Sequence, residues 1–169
     1  MSTGTFPMIT NYLSPTSFTV VIDRMPNVEF FAQRCMIPAL TMNPVQSTSP
    51  IQNYYLTPDR VTYSDFDLGF IVDENMRNYL EIQDWMVGIG APESTDQYKA
   101  IDTSKDGTTS DITIVINNSN KNPNKKITFT NCFPISISSV SLSVTNPDIV
   151  YPEVTATFRY DLFKVEDYT

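Results

Sequence analysis

Residues 65–90 read DFDLGFIVDENMRNYLEIQDWMVGIG, and within them the spacing of apolar residues changes. Over the first eight, Phe66, Leu68, Phe70 and Val72 point one way, while Asp65, Asp67 and Gly69 open the other face to a polar setting. That period of two is the mark of a half-buried strand. From Asp73 onward Met76, Tyr79, Leu80, Met86 and Val87 fall near one stripe, and Ile82, Trp85 and Ile89 widen it at three- and four-residue spacing. Asp73 suits an N-cap, Glu74 a first turn, and Gly88 and Gly90 a stop. The stretch predicts a strand followed by a helix over about 74–88, the only substantial helix expected.

The flanking sequence is dominated by strand signals. Residues 17–24 (SFTVVIDR) form a β-branched run that Met25-Pro26-Asn27 interrupts in the manner of a tight connection. Residues 28–37 (VEFFAQRCMI) resume as a second strand closed by Pro38, which predicts an antiparallel hairpin. After the helix, residues 91–110 are rich in Ser, Thr, Asp and Gly and read as a flexible surface loop. Strands are expected at about 111–117 and 126–133, joined by an exposed Asn- and Lys-rich turn. Pro134 is expected to separate the latter from a serine-alternating strand over 135–145. The closing strand, about 153–165, is two-faced. Val154, Ala156, Phe158, Tyr160 and Leu162 form one face, and Glu153, Thr155, Thr157, Arg159 and Asp161 the other. The fold class is mainly β with one α-helix, in a barrel- or sandwich-like arrangement over one domain, 1–169. Such sheets must close, cover or pair their edges.

Residues 41–60 stand apart, with three prolines, the Tyr54-Tyr55 pair and little charge. Loops of this length without periodicity are uncommon inside a compact domain and usually functional. Two readings fit: a strap over the domain's own core, or an assembly contact in which aromatic anchors bury large areas.

Composition excludes several functions. The chain has 169 residues, 19 acidic against 11 basic, a net charge of -8 and no histidine. Histidine-based triads, general bases and metal sites are therefore ruled out. The acidic balance argues against gripping nucleic acid through a basic surface. No apolar run approaches the roughly 20 residues that span a bilayer. The first basic residue is Arg24, so the start lacks the charge of a secretory signal. Cys35 and Cys132 lie in apolar strand-like segments without metal-site spacing, and read as buried free thiols, or as a disulfide pair if their strands are neighbours. Asp65 with Asp67, and Glu81 with Asp84, are carboxylate pairs of a kind common on solvated faces. Neither they nor Asp73 and Glu74 match a catalytic or calcium-binding pattern. No enzyme, cofactor or metal is expected.

With the segments in order, the chain resembles the tail tube family of contractile-tailed bacteriophages over roughly residues 17–165. The landmarks are Cys35-Met36-Ile37-Pro38, Arg60 leading into Asp65-Phe66-Asp67-Leu68, and Asp73-Glu74-Asn75 opening a helix with Gln83-Asp84-Trp85. Phe129 to Pro134 with the serines after it, and the strand Val154 to Phe163, complete the set. The resemblance implies a non-enzymatic subunit of the inner tail tube, stacking as hexameric rings into a conduit for DNA ejection. It implies sheath and baseplate proteins as partners, DNA that passes without specific binding, assembly in the host cytoplasm and residence in the virion tail. A baseplate tube initiator of the same fold and a secretion-system-like tube protein are the alternatives. It further implies a ring-to-ring role for the 41–60 loop with Tyr54, Tyr55 and Arg60. Asp65, Asp67, Glu153 and Asp161 are the carboxylates expected to face the lumen.

Overall fold

The computed structural model describes residues 12–22, 24–48, 50–90, 95–96, 107–144 and 151–168. Most of the 91–110 segment lies outside them. In chain order the elements are β1 (Phe18–Ile22), α1 (Pro26–Phe31), β2 (Ala32–Met36), β3 (Leu40–Met42), β4 (Val45–Thr48), β5 (Asn53–Leu56), β6 (Val61–Tyr63) and β7 (Phe66–Ile71). They continue with α2 (Arg77–Gly90), β8 (Ser110–Asn117), β9 (Pro123–Ile137), β10 (Glu153–Arg159) and β11 (Leu162–Asp167). The fold is mainly β and its pairings are antiparallel.

Seven strands form one hydrogen-bonded path, β1-β8-β9-β10-β7-β2, with β11 also on β9. The 15-residue β9 bends the path onto itself. Its first half carries β8 on one side and β11 on the other; its second half carries β10. The bend sits at Asn131, whose φ of 56° is left-handed, a conformation asparagine tolerates better than most residues. The partner strand turns with it: Arg159 faces Phe133 and Leu162 faces Thr130, so no residue slips across the corner. Asp111 Oδ1 accepts the Asn131 N–H at 3.0 Å, and Asn131 Nδ2 donates to Asp161 Oδ2 at 2.7 Å, tying three strands there.

The core lies between the two halves. Val20, Ile22, Ile112, Ile114, Ile127 and Phe129 come from one half, and Phe66, Leu68, Phe70, Val154, Ala156 and Phe158 from the other. Phe66 and Phe129 stack across it with centroids 4.8 Å apart. The period-two reading of 65–72 and of 153–160 therefore holds, except that Leu162 is exposed and Phe163 packs inward instead. Face parity changes because the chain turns the corner at Asp161.

Helix α2 closes the core with Ile82 and Trp85, while Leu80 and Ile89, expected in its stripe, are exposed. Trp85 Nε1 donates to the Thr108 carbonyl at 3.0 Å, and the Arg24 guanidinium lies 4.8 Å over its ring. The helix starts at Arg77, later than the sequence suggests, because the fully buried Asn78 does the work expected of Asp73. Asn78 Nδ2 donates to the Ile71 carbonyl at 2.7 Å, and its Oδ1 accepts the N–H groups of Asp73 and Tyr79 at 3.2 and 2.9 Å.

Four further expectations are corrected. Residues 26–31 are a short helix: Pro26 sits at its first turn and Val28 is drawn into the core, overriding the strand preference of Val and Phe. The predicted 17–24/28–37 hairpin does not form, since β1 pairs with β8 and β2 with β7. Strand β9 runs through Pro134 rather than stopping there: Pro134 stands opposite Phe158 of β10, and among the described residues β8 reaches no further than Cys132, which leaves this stretch of β9 an edge, the setting in which strands tolerate proline. Residues 41–60 are an extended ribbon: β3 pairs with β6 and β4 with β5.

Candidate assembly surfaces

The first surface is the outer face of β2, β7 and β10. Strand alternation that buries Phe66, Leu68, Val154, Ala156 and Phe158 turns Asp67, Glu153, Thr155, Thr157 and Arg159 outward. Register then pairs them. Thr157 stands opposite Asp67 and donates to its Oδ1 at 2.7 Å, and Arg159 forms an ion pair with Asp65. Arg34 of β2 reaches across β7 to Glu153 at 3.7 Å and to the Thr155 hydroxyl at 3.4 Å. Gly69 permits that crossing, since a Cβ there would stand 3.0 Å from Glu153 Oε1 and 3.4 Å from Arg34 Cβ. The face is thus a ladder of alternating charge, three carboxylates against two guanidiniums. Asp65, Asp67 and Glu153 are brought together; Asp161 is separate, at the corner with Asn131. The sequence places Gly69 with Asp65 and Asp67, and Arg159 with Glu153, but not Arg34 among them, nor the two strands side by side, because that grouping depends on which strands pair.

The second surface is the ribbon, β3 to β6, an arm springing from the sheet between Met36 and Phe66. Its strands pair with each other and are exposed along almost their whole length. Tyr54 and Tyr55 are successive strand residues and face opposite sides of the ribbon, with 54% and 71% of their surfaces exposed. Arg60 lies away from them at the arm's base, lining a cleft of about 310 Å³ with Ser64, Arg159 and Asp161.

A third feature is an apolar groove of about 720 Å³ at the other end of the β2–β7 ladder, lined by Phe31, Val72, Met76, Leu142, Tyr151 and Pro152 together with Asp73 and Glu74. Finally, among the described residues four edges of the seven-stranded sheet lack a second strand: those of β1, β2 and β11, and that of β9 beyond Cys132 on its β8 side.

Chemistry-bearing groups are sparse. Among the described residues no cluster of His, Cys, Asp or Glu could hold a metal ion. Both cysteines are free thiols; burial pushes Cys132 up to about 12, reinforced by the Asp111 and Asp161 carboxylates and opposed by a hydrogen bond to the Ile112 backbone. No described helix is long and apolar enough to cross a membrane.

Residues 5–166 match the sequence profile of a family described as phage tail tube protein. No curated protein matches the chain. Among solved structures, a chain of the anti-feeding prophage baseplate superposes with a TM-score of 0.63 at 16% identity, covering 94% of this chain and 97% of that one. A chain of the PVC sheath-tube complex, an extracellular contractile injection system in its extended state, gives 0.61 at 14% identity, covering 95% of each. A type six secretion system protein gives 0.54 at 9% identity, covering 89% of this chain and 82% of that one. At these identities the likeness is one of fold.

Proposed function

Because the chain belongs to the phage tail tube protein family, we propose that it is the repeating subunit of the inner tube of a contractile tail. In this reading it stacks as homo-hexameric rings inside a sheath, on a baseplate, and lines a conduit through which DNA leaves the virion. The observation that carries the reading is the polar face of β2, β7 and β10 flanked by the unpartnered edges of β2 and β9. Those edges are different strands, so copies join head to tail, the arrangement that generates rings. Each junction satisfies edge groups that a single copy leaves open.

The charge ladder suits a passage. Asp65, Asp67 and Glu153 face Arg34 and Arg159, so a lumen built from this face carries a small negative excess per copy and no basic track. A polyanion meets no condensed site to bind, and mild repulsion acts over roughly 8 Å at physiological salt. Asp161 lies off this face and is left out of the proposed lumen. Tyr54 and Tyr55 make the contact between rings through the arm; Arg60, at its base, supports it. The protein does no chemistry here and works by shape and charge.

Electron micrographs of the purified protein, alone and with baseplates, test the reading. Rings or tubes of uniform diameter are expected. Dispersed monomers in both preparations overturn it, and single rings that never extend identify a tube initiator instead.

A further inference from the structure

Side chains continue the join between β10 and the base of the arm after backbone pairing stops. The β10–β7 ladder ends with Phe158 opposite Phe66. Beyond it Arg159 pairs with Asp65 on the outer face, and the Tyr160 hydroxyl donates to the Ser64 carbonyl at 2.8 Å, one residue past the end of β6. Ser64 also closes the ribbon, since its N–H and its hydroxyl both donate to the Ala39 carbonyl, at 3.1 and 2.9 Å. A single residue thus bonds the two stems of the arm to each other and the arm to the body. We propose that Tyr160 is a positioning residue for the ring-to-ring contact, its hydroxyl and ring setting the angle at which the arm leaves the body. The inference rests on the tube reading and deepens it by naming what aims the arm.

The two bridges across the join differ in weight. Arg159 and Asp65 leave half and a third of their side-chain surfaces exposed, and ion pairs so placed contribute little. Tyr160 is 6% exposed, and a buried hydroxyl parted from its acceptor costs more than the bond contributes when made. Its ring is held from behind, edge-to-face on Phe129 at 5.0 Å and on Phe163 at 6.1 Å between centroids. Tyr63, the last residue of β6, packs edge-on against the same Phe163 at 5.7 Å and against Tyr160 at 6.2 Å. The cleft of about 310 Å³ beside this join gives the stem room to tilt once the hydroxyl is gone. Leverage makes the angle matter. From Leu40 to Thr48 the arm extends up to roughly 30 Å. A tilt of about 10° at its base moves the tip by roughly 5 Å, more than a close-packed contact tolerates.

Paired spin labels test it. In a Cys35→Ser parent, Gln46→Cys on β4 and Gln83→Cys on α2 are exposed positions for the labels. Below the assembly concentration the parent is expected to give one narrow distance between them, and Tyr160→Phe a broader or shifted one. The same substitution is expected to melt within a few degrees of the parent and to form roughly tenfold less tube. Asn78→Ala, which weakens the fold at the other end of β7, is the control: it is expected to melt lower while keeping the parent's arm distance and tube yield. An unchanged distance in Tyr160→Phe, a broad distance already in the parent, or undiminished tube yield overturns this inference and leaves the tube reading standing. Yield that falls as far in Asn78→Ala as in Tyr160→Phe also overturns it, since lost stability alone then accounts for the effect. A parent that forms neither rings nor tubes under any condition sinks both.

Discussion

Asn78 is fully buried and makes three hydrogen bonds that join the end of β7 to the first turn of α2. Removing its amide leaves the Ile71 carbonyl and two backbone N–H groups without their partner in the interior. Asn78→Ala is therefore expected to lose about 2–3 kcal/mol, read as a lower urea midpoint with an unchanged slope. Cys132 and Tyr160 act in a different way. Burial pushes the thiol from 9.0 to about 12 and the Tyr160 hydroxyl from 10.0 to about 12. Below pH 9 both groups are neutral folded and unfolded, and their contribution is intact. As pH rises toward 12 the unfolded chain ionises first, so stability falls. Melts at about pH 8 and about pH 10.5 are expected to show that loss, and Cys132→Ala to lessen it. In native protein at about pH 8 a thiol reagent is expected to leave Cys132 untouched until urea is added.

At the scale of elements, the β9 bend fixes how the two halves of the sheet face each other. Asn131→Gly keeps the left-handed backbone and loses only the side-chain bond to Asp161, whereas Asn131→Val adds the strain of a β-branched residue at positive φ. The valine variant is expected to melt lower than the glycine variant by about 1–2 kcal/mol. The same scale shows what sequence can and cannot tell. Alternation over 66–71 and 153–159 was legible because both strands bury one face against the core and wet the other. The helix was legible through Ile82 and Trp85, but its start was not, since the capping group comes from inside the helix. Residues 28–31 look like a strand and fold as a helix because burial of Val28 outweighs local preference. The ribbon has no periodicity to read, since neither of its faces is buried within the chain. Likewise Asp65, Asp67 and Glu153 were visible as carboxylates, while their respective partners Arg159, Thr157 and Arg34 became neighbours only through strand pairing.

On the scale of the whole molecule, a stable body is joined to surfaces that one copy cannot satisfy. The core cluster unites both sheet halves and α2, yet among the described residues the arm, the groove and several strand edges remain open. Folding and assembly are thus separable. Replacing residues 43–58 by a two-residue turn removes exposed ribbon only, so the shortened chain is expected to unfold within a few degrees of the parent while forming no tubes, as checked by calorimetry and sedimentation. The lumen assignment belongs to this scale too. Charge reversal at Arg34 and Arg159 leaves the core untouched and, if the proposed lumen face is right, is expected to deepen the negative potential of the bore. Cryo-microscopy of the assembled protein tests the central claim most directly. The account predicts closed rings in which the β2–β7–β10 face, with Asp67, Arg34 and Glu153, looks onto the channel axis. A tube wall with that face turned outward or buried between subunits would contradict it.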